Sequence, residues 1–226
     1  MQWAEAAAAF KELVNVEAEY SPLKRVAVAT PGKEKERLTP KNLLELQFAE
    51  IPDPVKLKEQ HDVFKSKIAS FGIEVVDVRE RLKALKKDEL ISLIQAECEL
   101  SGKGLEAMSA KELAELVLAG VTFTEAKAKG LLGKTIVGEA SDFCVKPLLN
   151  IIFTRDPGMC MGRSYIAGKM RWESRRGEVR VLVKALGIEP KEIVSAEAGY
   201  FEGGDHMPIG YGKLLMGFGT GAVRSG

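Results

Sequence analysis

Carboxylates placed where strands stop are the residues of this sequence best suited to chemistry. Asp156 follows the apolar run Ile151 to Thr154 and precedes Pro157, which has no backbone donor and ends a ladder. Residues 150–156 are therefore expected to form a strand that presents Asp156 at its end. Further along, Glu202 and Asp205 bracket Gly203 and Gly204, which let the backbone turn tightly or approach a neighbour. Two acidic sites of this design point to a cationic ligand. Read alone, Asp156 is also explained as a turn residue paired with its neighbour Arg155.

The surrounding elements are of α/β type. An alanine-rich helix is expected at 2–14 and a strand at 25–29 that closes at Pro31 and Gly32. Asp53 caps a helix with Pro54 in its first position. Leu57, His61, Phe64, Ile68 and Phe71 recur along it at spacings of three and four, predicting one apolar face that ends at Gly72 before a short strand at 73–78. From Arg79 to about Leu132 the β-branched runs give way to Leu, Ala, Lys and Glu at helical spacing. Ser109 and Glu112 form a capping box, and Gly120 follows the helix that it opens. Extended segments are expected at 164–167 and 170–172, a helix at 178–186 capped by Gly187, and a last strand at 213–218.

Composition narrows the function. Lys and Arg total 33 against 32 acidic residues, a balance that provides no field to gather nucleic acid or an anionic membrane. Cys98, Cys144 and Cys160 form no Cys-x-x-Cys pair and His61 and His206 lie far apart, so no metal site is expected. The first residues lack the basic flank of a signal peptide, and no apolar run approaches the ~20 residues of a membrane span, so a cytoplasmic location is expected.

Three segments carry a family resemblance: Asn150 to Pro157 (NIIFTRDP), Met170 to Glu178 (MRWESRRGE) and Glu202 to Gly210 (EGGDHMPIG). In order and spacing they resemble the signature segments of the arginine deiminases, which modify guanidino groups. Leu23 to Gly32, followed by Glu36 to Pro40, is similar to that family's opening strand and loop. The helical stretch matches an insertion that the family carries. The resemblance implies the amino-terminal part of an α/β propeller of repeated ββαβ units, divided as 1–78, a helical insertion at 79–145, and further blades at 146–226. It also implies hydrolysis of L-arginine to citrulline and ammonia through a cysteine-linked intermediate, without a cofactor.

By motif position the resemblance gives Asp156 the grip on the guanidinium, Glu202 the orientation of a catalytic histidine, and Asp205 the support of that pair. Asn150 and Arg175 match groups that hold the substrate's α-carboxylate, and Phe153 lines the pocket. Read without the family, Arg175 is a surface arginine at a helix start. Two departures stand out. The family's nucleophilic cysteine, and a histidine with its aspartate, belong to a carboxy-terminal portion expected beyond the last residue, and Gly221 occupies the position of a second carboxylate-binding arginine. Cys160 has no adjacent histidine to generate a thiolate and reads as a small buried hydrophobe. His206 is expected to face away from Asp205. His61 reads as a satisfied core histidine, and Cys98 and Cys144 carry no signal.

Expected partners are L-arginine or a related guanidino compound, and either a carboxy-terminal half or a second copy that covers unpaired strand edges. The rival readings are a non-catalytic guanidino-binding or interaction module, and another guanidino-modifying enzyme such as an amidinotransferase or an agmatine deiminase.

Overall fold

Strand β1, Arg25–Val28, pairs in parallel with β2, Glu74–Asp77, and helix α1, Pro54–Ala69, lies in the connection between them. The computed structural model describes residues 15–44, 46, 48–132, 142–188, 193–195 and 199–217; the expected helix at 2–14 and the positions of Phe218 and Gly221 lie outside them. Helix α1 starts as the sequence predicts, with Asp53 Oδ1 accepting from the backbone N–H of Val55 and Lys56. Its packed face differs from the predicted one. His61 is buried and Leu57 and Ile68 are half-buried, but Phe64 and Phe71 are 52% and 71% exposed. The helix is turned so that Lys65 reaches the carboxyl ends of β1 and β2, where its Nζ donates to Thr30 Oγ1 (2.6 Å) and Asp77 Oδ2 (3.1 Å).

After β1 a 3-10 turn, Lys33–Arg37, places Glu34 and Lys35 inside the protein. Helices α2 (Val78–Lys83), α3 (Lys87–Gln95), α4 (Gly102–Glu106), α5 (Ala110–Ala119) and α6 (Phe123–Ala128) fill the predicted helical stretch. Capping boxes open α5 at Ser109 and α6 at Thr122. Arg79 ties this region to the 3-10 turn by pairing with Glu34 and Glu115 and donating to the Thr30 carbonyl. Between α5 and α6, β3 (Val121–Thr122) pairs antiparallel with β4 (Phe143–Val145). Cys98 and Cys144, which carried no sequence signal, are joined in a disulfide.

The expected strand at 150–156 is instead a 3-10 helix, Leu149–Ile152, followed by a turn. Ile151, Phe153 and Asp156 each donate to the carbonyl three residues back, at Leu148, Asn150 and Phe153. A short apolar run bounded by turn residues fits a buried helical turn as well as a strand, and periodicity does not separate them. Strands β5 (Gly158–Met161) and β6 (Ser164–Ala167) are antiparallel; helix α7 (Arg176–Leu186) then leads to β7 (Ile193–Ser195), parallel to β6. Residues 170–172 form no strand, and the bridge there joins Lys169 to Phe201. Strands β8 (His206–Pro208) and β9 (Leu214–Met216) form a hairpin. The sheets are small, and one apolar core runs from Leu82, Leu90 and Leu113 of the helical stretch to Val181, Leu182 and Leu186 of α7. No helix among the described residues is long and apolar enough to cross a membrane.

Candidate functional site

Two glycines let the acidic segments meet. The Gly203 N–H donates to the Asp156 carbonyl (2.9 Å). A Cβ on Gly203 would lie 2.2 Å from the Arg155 carbonyl oxygen, and one on Gly204 would lie 2.7 Å from Asp156 Oδ1. Any side chain there would force the segments apart. Arg155 fastens the same junction, donating to the carbonyls of Gly203 (2.8 Å) and His206 (2.6 Å) and binding Glu19 through both terminal nitrogens. Arg155 is therefore not the partner of Asp156, which removes the simple turn-pair reading.

That partner is Arg175. It lies in a 3-10 turn, Glu173–Arg175, just before α7, and is buried. Its Nη1 donates to Asp156 Oδ2 (3.0 Å) and lies 3.9 Å from Glu202 Oε2, while Nε and Nη2 both donate to Glu178 Oε2 (3.1 and 3.0 Å). Carboxylates from three segments thus surround one guanidinium, a planar cation suited to being held along its edges. Asp205 lies near enough for its charge to act on Glu202. Burial raises the Glu202 carboxyl above the ordinary range, and Asp156 and Asp205 add like charge, against the pull of the Arg171 N–H and Arg175.

Glu178 is the site residue that sequence reasoning passed over. It is fully buried, and burial pushes its carboxyl up to about 7 against the attraction of Arg175. One signal was available: Glu178 falls on the stripe continued by Val181, Leu182 and Ala185, so an acid stood on the face that α7 buries.

The remaining expected residues are placed less centrally. Asn150 is buried in the Leu149–Ile152 turn with its amide donating to the Leu46 carbonyl (3.2 Å), and Phe153 is 55% exposed. A groove of about 890 Å³ between α3 and α7, floored by Leu93, Val179 and Val183, includes none of Asp156, Glu178, Glu202 or Asp205 in its lining. The acid cluster itself is filled by Arg175.

Cysteine and histidine chemistry is poorly provided for. Cys160 is the free cysteine, and burial pushes its thiol up to about 11. His206 is buried and stacked on Phe201 with ring centres 4.0 Å apart, and its Nδ1 lies 2.9 Å from the Glu202 carbonyl oxygen. His61 is buried as expected, but its Nδ1 lacks a hydrogen-bond partner among the described residues.

The arginine deiminase family model matches residues 44–226. The chain is 31% identical over 192 residues to an arginine deiminase of Staphylococcus haemolyticus, covering 79% of this chain and 46% of that protein. An arginine deiminase of Latilactobacillus sakei is 30% identical, with 79% and 47% covered, and one of Mycobacterium marinum is 27% identical, with 92% and 57% covered. The chain spans about half the length of the curated relatives it matches. With a family match that takes in all three segments of the acid cluster, the chain belongs to the arginine deiminase family.

Proposed function

We propose that this chain supplies the carboxylate side of a site that hydrolyses L-arginine to citrulline and ammonia. The observation that carries the reading is the gathering of Asp156 and Glu202 around one guanidinium. Asp156 grips the substrate guanidinium, Glu202 with Asp205 orients the proton-moving histidine, and Arg175 with Asn150 receives the α-carboxylate. Arg175 suits that task, because among the described residues its three donated bonds leave one N–H on each terminal nitrogen. The succession β5, β6, α7, β7 supports the ββαβ unit of an α/β propeller, with 79–145 as a helical insertion between the parts at 1–78 and 146–226.

In this reading the attacking thiolate comes from outside the chain. Cys98 and Cys144 are bonded to one another and the half-buried Cys160 has a raised pKa, so none is activated. The second reading, a guanidino-binding module without catalysis, is the one the following test separates from it.

The test is complementation. The 226-residue chain alone is expected to form no citrulline. Addition of a separately expressed carboxy-terminal half of a family member, bearing its cysteine and histidine, restores turnover, and Asp156→Ala abolishes what was restored. Citrulline formed by the chain alone and lost on Cys160→Ser would overturn the assignment of the nucleophile; failure of every complementing half would leave the binding module.

A further inference from the structure

The groove between α3 and α7 takes no part in the acid cluster, yet it is built like a ligand site. Its volume of about 890 Å³ falls within the roughly 300–1,000 Å³ of clefts that hold small molecules. Leu85, Leu93 and Met170 close the floor and are buried, while Val179, Val183 and Ile188 are half-buried and turn their remaining surface to the groove. Along one wall α7 and its cap line it from Arg176 to Gly187, a run of about 16 Å at the helical rise. The apolar lining is aliphatic except for Tyr200. A floor this long and aliphatic suits an extended chain better than a compact ring.

The rim is cationic. Lys169, Arg176, Arg180 and Lys184 line the groove, and Glu89 is the acid among them. Lys184 pairs with Glu89 and Arg180 with Glu97, each at 2.7 Å, so two of the cations tie α3 to α7 across the gap. Arg176 is exposed and makes no ion pair among the described residues. Even with Glu97 counted, the positive charges outnumber the negative, so an anion is favoured at this rim and a cation is repelled. The two pairs also limit the breadth of a guest. A partner helix, about 10 Å across with its side chains, enters only by parting α3 from α7 and breaking both pairs. A single acyl chain lies along the floor with its head at the rim.

We propose that the groove between α3 and α7 binds an acyl-chain carboxylate, its chain over Leu93, Val179 and Val183 and its head group at the cationic rim, with Arg176 as the principal contact. The site goes beyond the arginine reading and does not rest on it. Its wall nevertheless adjoins the acid cluster. Lys169 and Phe201 exchange backbone hydrogen bonds (2.7 and 3.1 Å), Met170 lines the groove, and the Arg171 N–H donates to Glu202 Oε1 (3.4 Å). The amides of Met170 and Arg171 therefore report on the groove from a known position.

The experiment titrates the 226-residue chain by calorimetry with decanoate, 1-decanol and decyltrimethylammonium, which share a chain and differ in head charge. Decanoate is expected to bind about tenfold more tightly than decanol, and the ammonium to bind more weakly than either. In amide spectra, Met170, Arg171, Val183 and Lys184 are expected to shift as decanoate is added. Two variants locate the site. Ala96→Trp, at an exposed position on the α3 side, fills the groove and is expected to abolish binding; Arg176→Glu is expected to bring decanoate down to the level of decanol. Both positions are exposed, so neither change disturbs the core.

Equal affinity for the three probes overturns the proposal, because the rim then selects nothing. Decanoate binding that survives Ala96→Trp, or that leaves the Met170 and Val183 amides unmoved, places the ligand elsewhere and overturns it too. Sedimentation of the chain with anionic phospholipid vesicles, without binding of free decanoate, replaces the single ligand by a membrane surface. Self-association that Ala96→Trp removes in the absence of any probe replaces it by a second copy. None of the probes is a guanidino compound, so these outcomes leave the arginine reading untouched.

Discussion

Arg175 Nη1 donates to Asp156 Oδ2 at 3.0 Å, so the carboxylate expected to grip an outside guanidinium already grips one of the chain's own. The two partners differ in what they leave behind. Removing the cation strands the fully buried Glu178, so Arg175→Met is expected to cost about 3–5 kcal/mol in urea unfolding. The Asp156 side chain is 27% exposed and water takes over part of its role, so Asp156→Asn is expected to cost about 1 kcal/mol. Equal costs would contradict the view that Glu178 carries most of the buried charge.

Glu178 and Lys35 give stability a readable pH dependence. Glu178 moves from 4.5 to about 7 on folding, so the folded state binds that proton more tightly; its contribution is complete below pH 4.5 and gone once pH passes 7. Lys35 moves from 10.5 to about 8, so its contribution is present above pH 10.5 and is lost as pH falls through 8. The two arms leave neither contribution between 7 and 8. Unfolding midpoints are expected to fall between pH 4.5 and 7 in the parent and to flatten in Glu178→Gln; parallel curves would refute the assignment.

The Cys98–Cys144 disulfide closes a loop with a sequence separation of 46, which the loop-entropy relation values at about 4 kcal/mol. Thiol titration of the unfolded, unreduced chain is expected to find Cys160 alone. Three titratable thiols would mean the bond does not form. Substitution of both bonded cysteines by serine is expected to lower the unfolding midpoint without changing the thiol count.

Phe64 and Phe71 on and just beyond α1 leave apolar rings in solvent, and Leu215 and Met216 of β9 do the same. Concentration-dependent sedimentation at micromolar protein is the expected result. Phe64→Ser with Phe71→Ser is expected to reduce it while changing stability by less than about 1 kcal/mol, as for substitutions outside a core. An unaltered monomer in both proteins would show that these surfaces have no partner in a second copy.

Local signals with a single physical cause were legible in the sequence. Asp53 before Pro54, Ser109 with Glu112, and Gly187 after α7 fixed helix ends because each meets a specific unpaired backbone group. The Gly203–Gly204 pair likewise announced a close approach. What stayed hidden depended on distant residues. The turn at Leu149–Ile152 and a strand share the same short apolar pattern. The face of α1 is set by Lys65 reaching Thr30 and Asp77, a contact no periodicity contains. Glu34 and Lys35 stand in a charged stretch with no apolar pattern, and their burial depends on the distant partners Arg79 and Leu149. Cys98 and Cys144 carry no sequence signal because 46 positions separate them, and only the fold brings their Cα atoms to 5.9 Å.

Arg155 reaches three places at once: Glu19 near the start of the described chain, the Gly203 carbonyl, and the His206 carbonyl at the head of the last hairpin. One side chain therefore sets the order in which the acid site comes apart. Strand β8 cannot peel away without releasing Gly203, and releasing Gly203 frees the backbone against which Asp156 is set. Local opening of this corner is then a single cooperative event, in which the amides of Gly203, Lys169 and Gly217 share one exchange rate although they lie in separate segments. The Asp156 side of the acid site is therefore expected to open together with the hairpin, and exchange at the Gly203 amide reads its integrity.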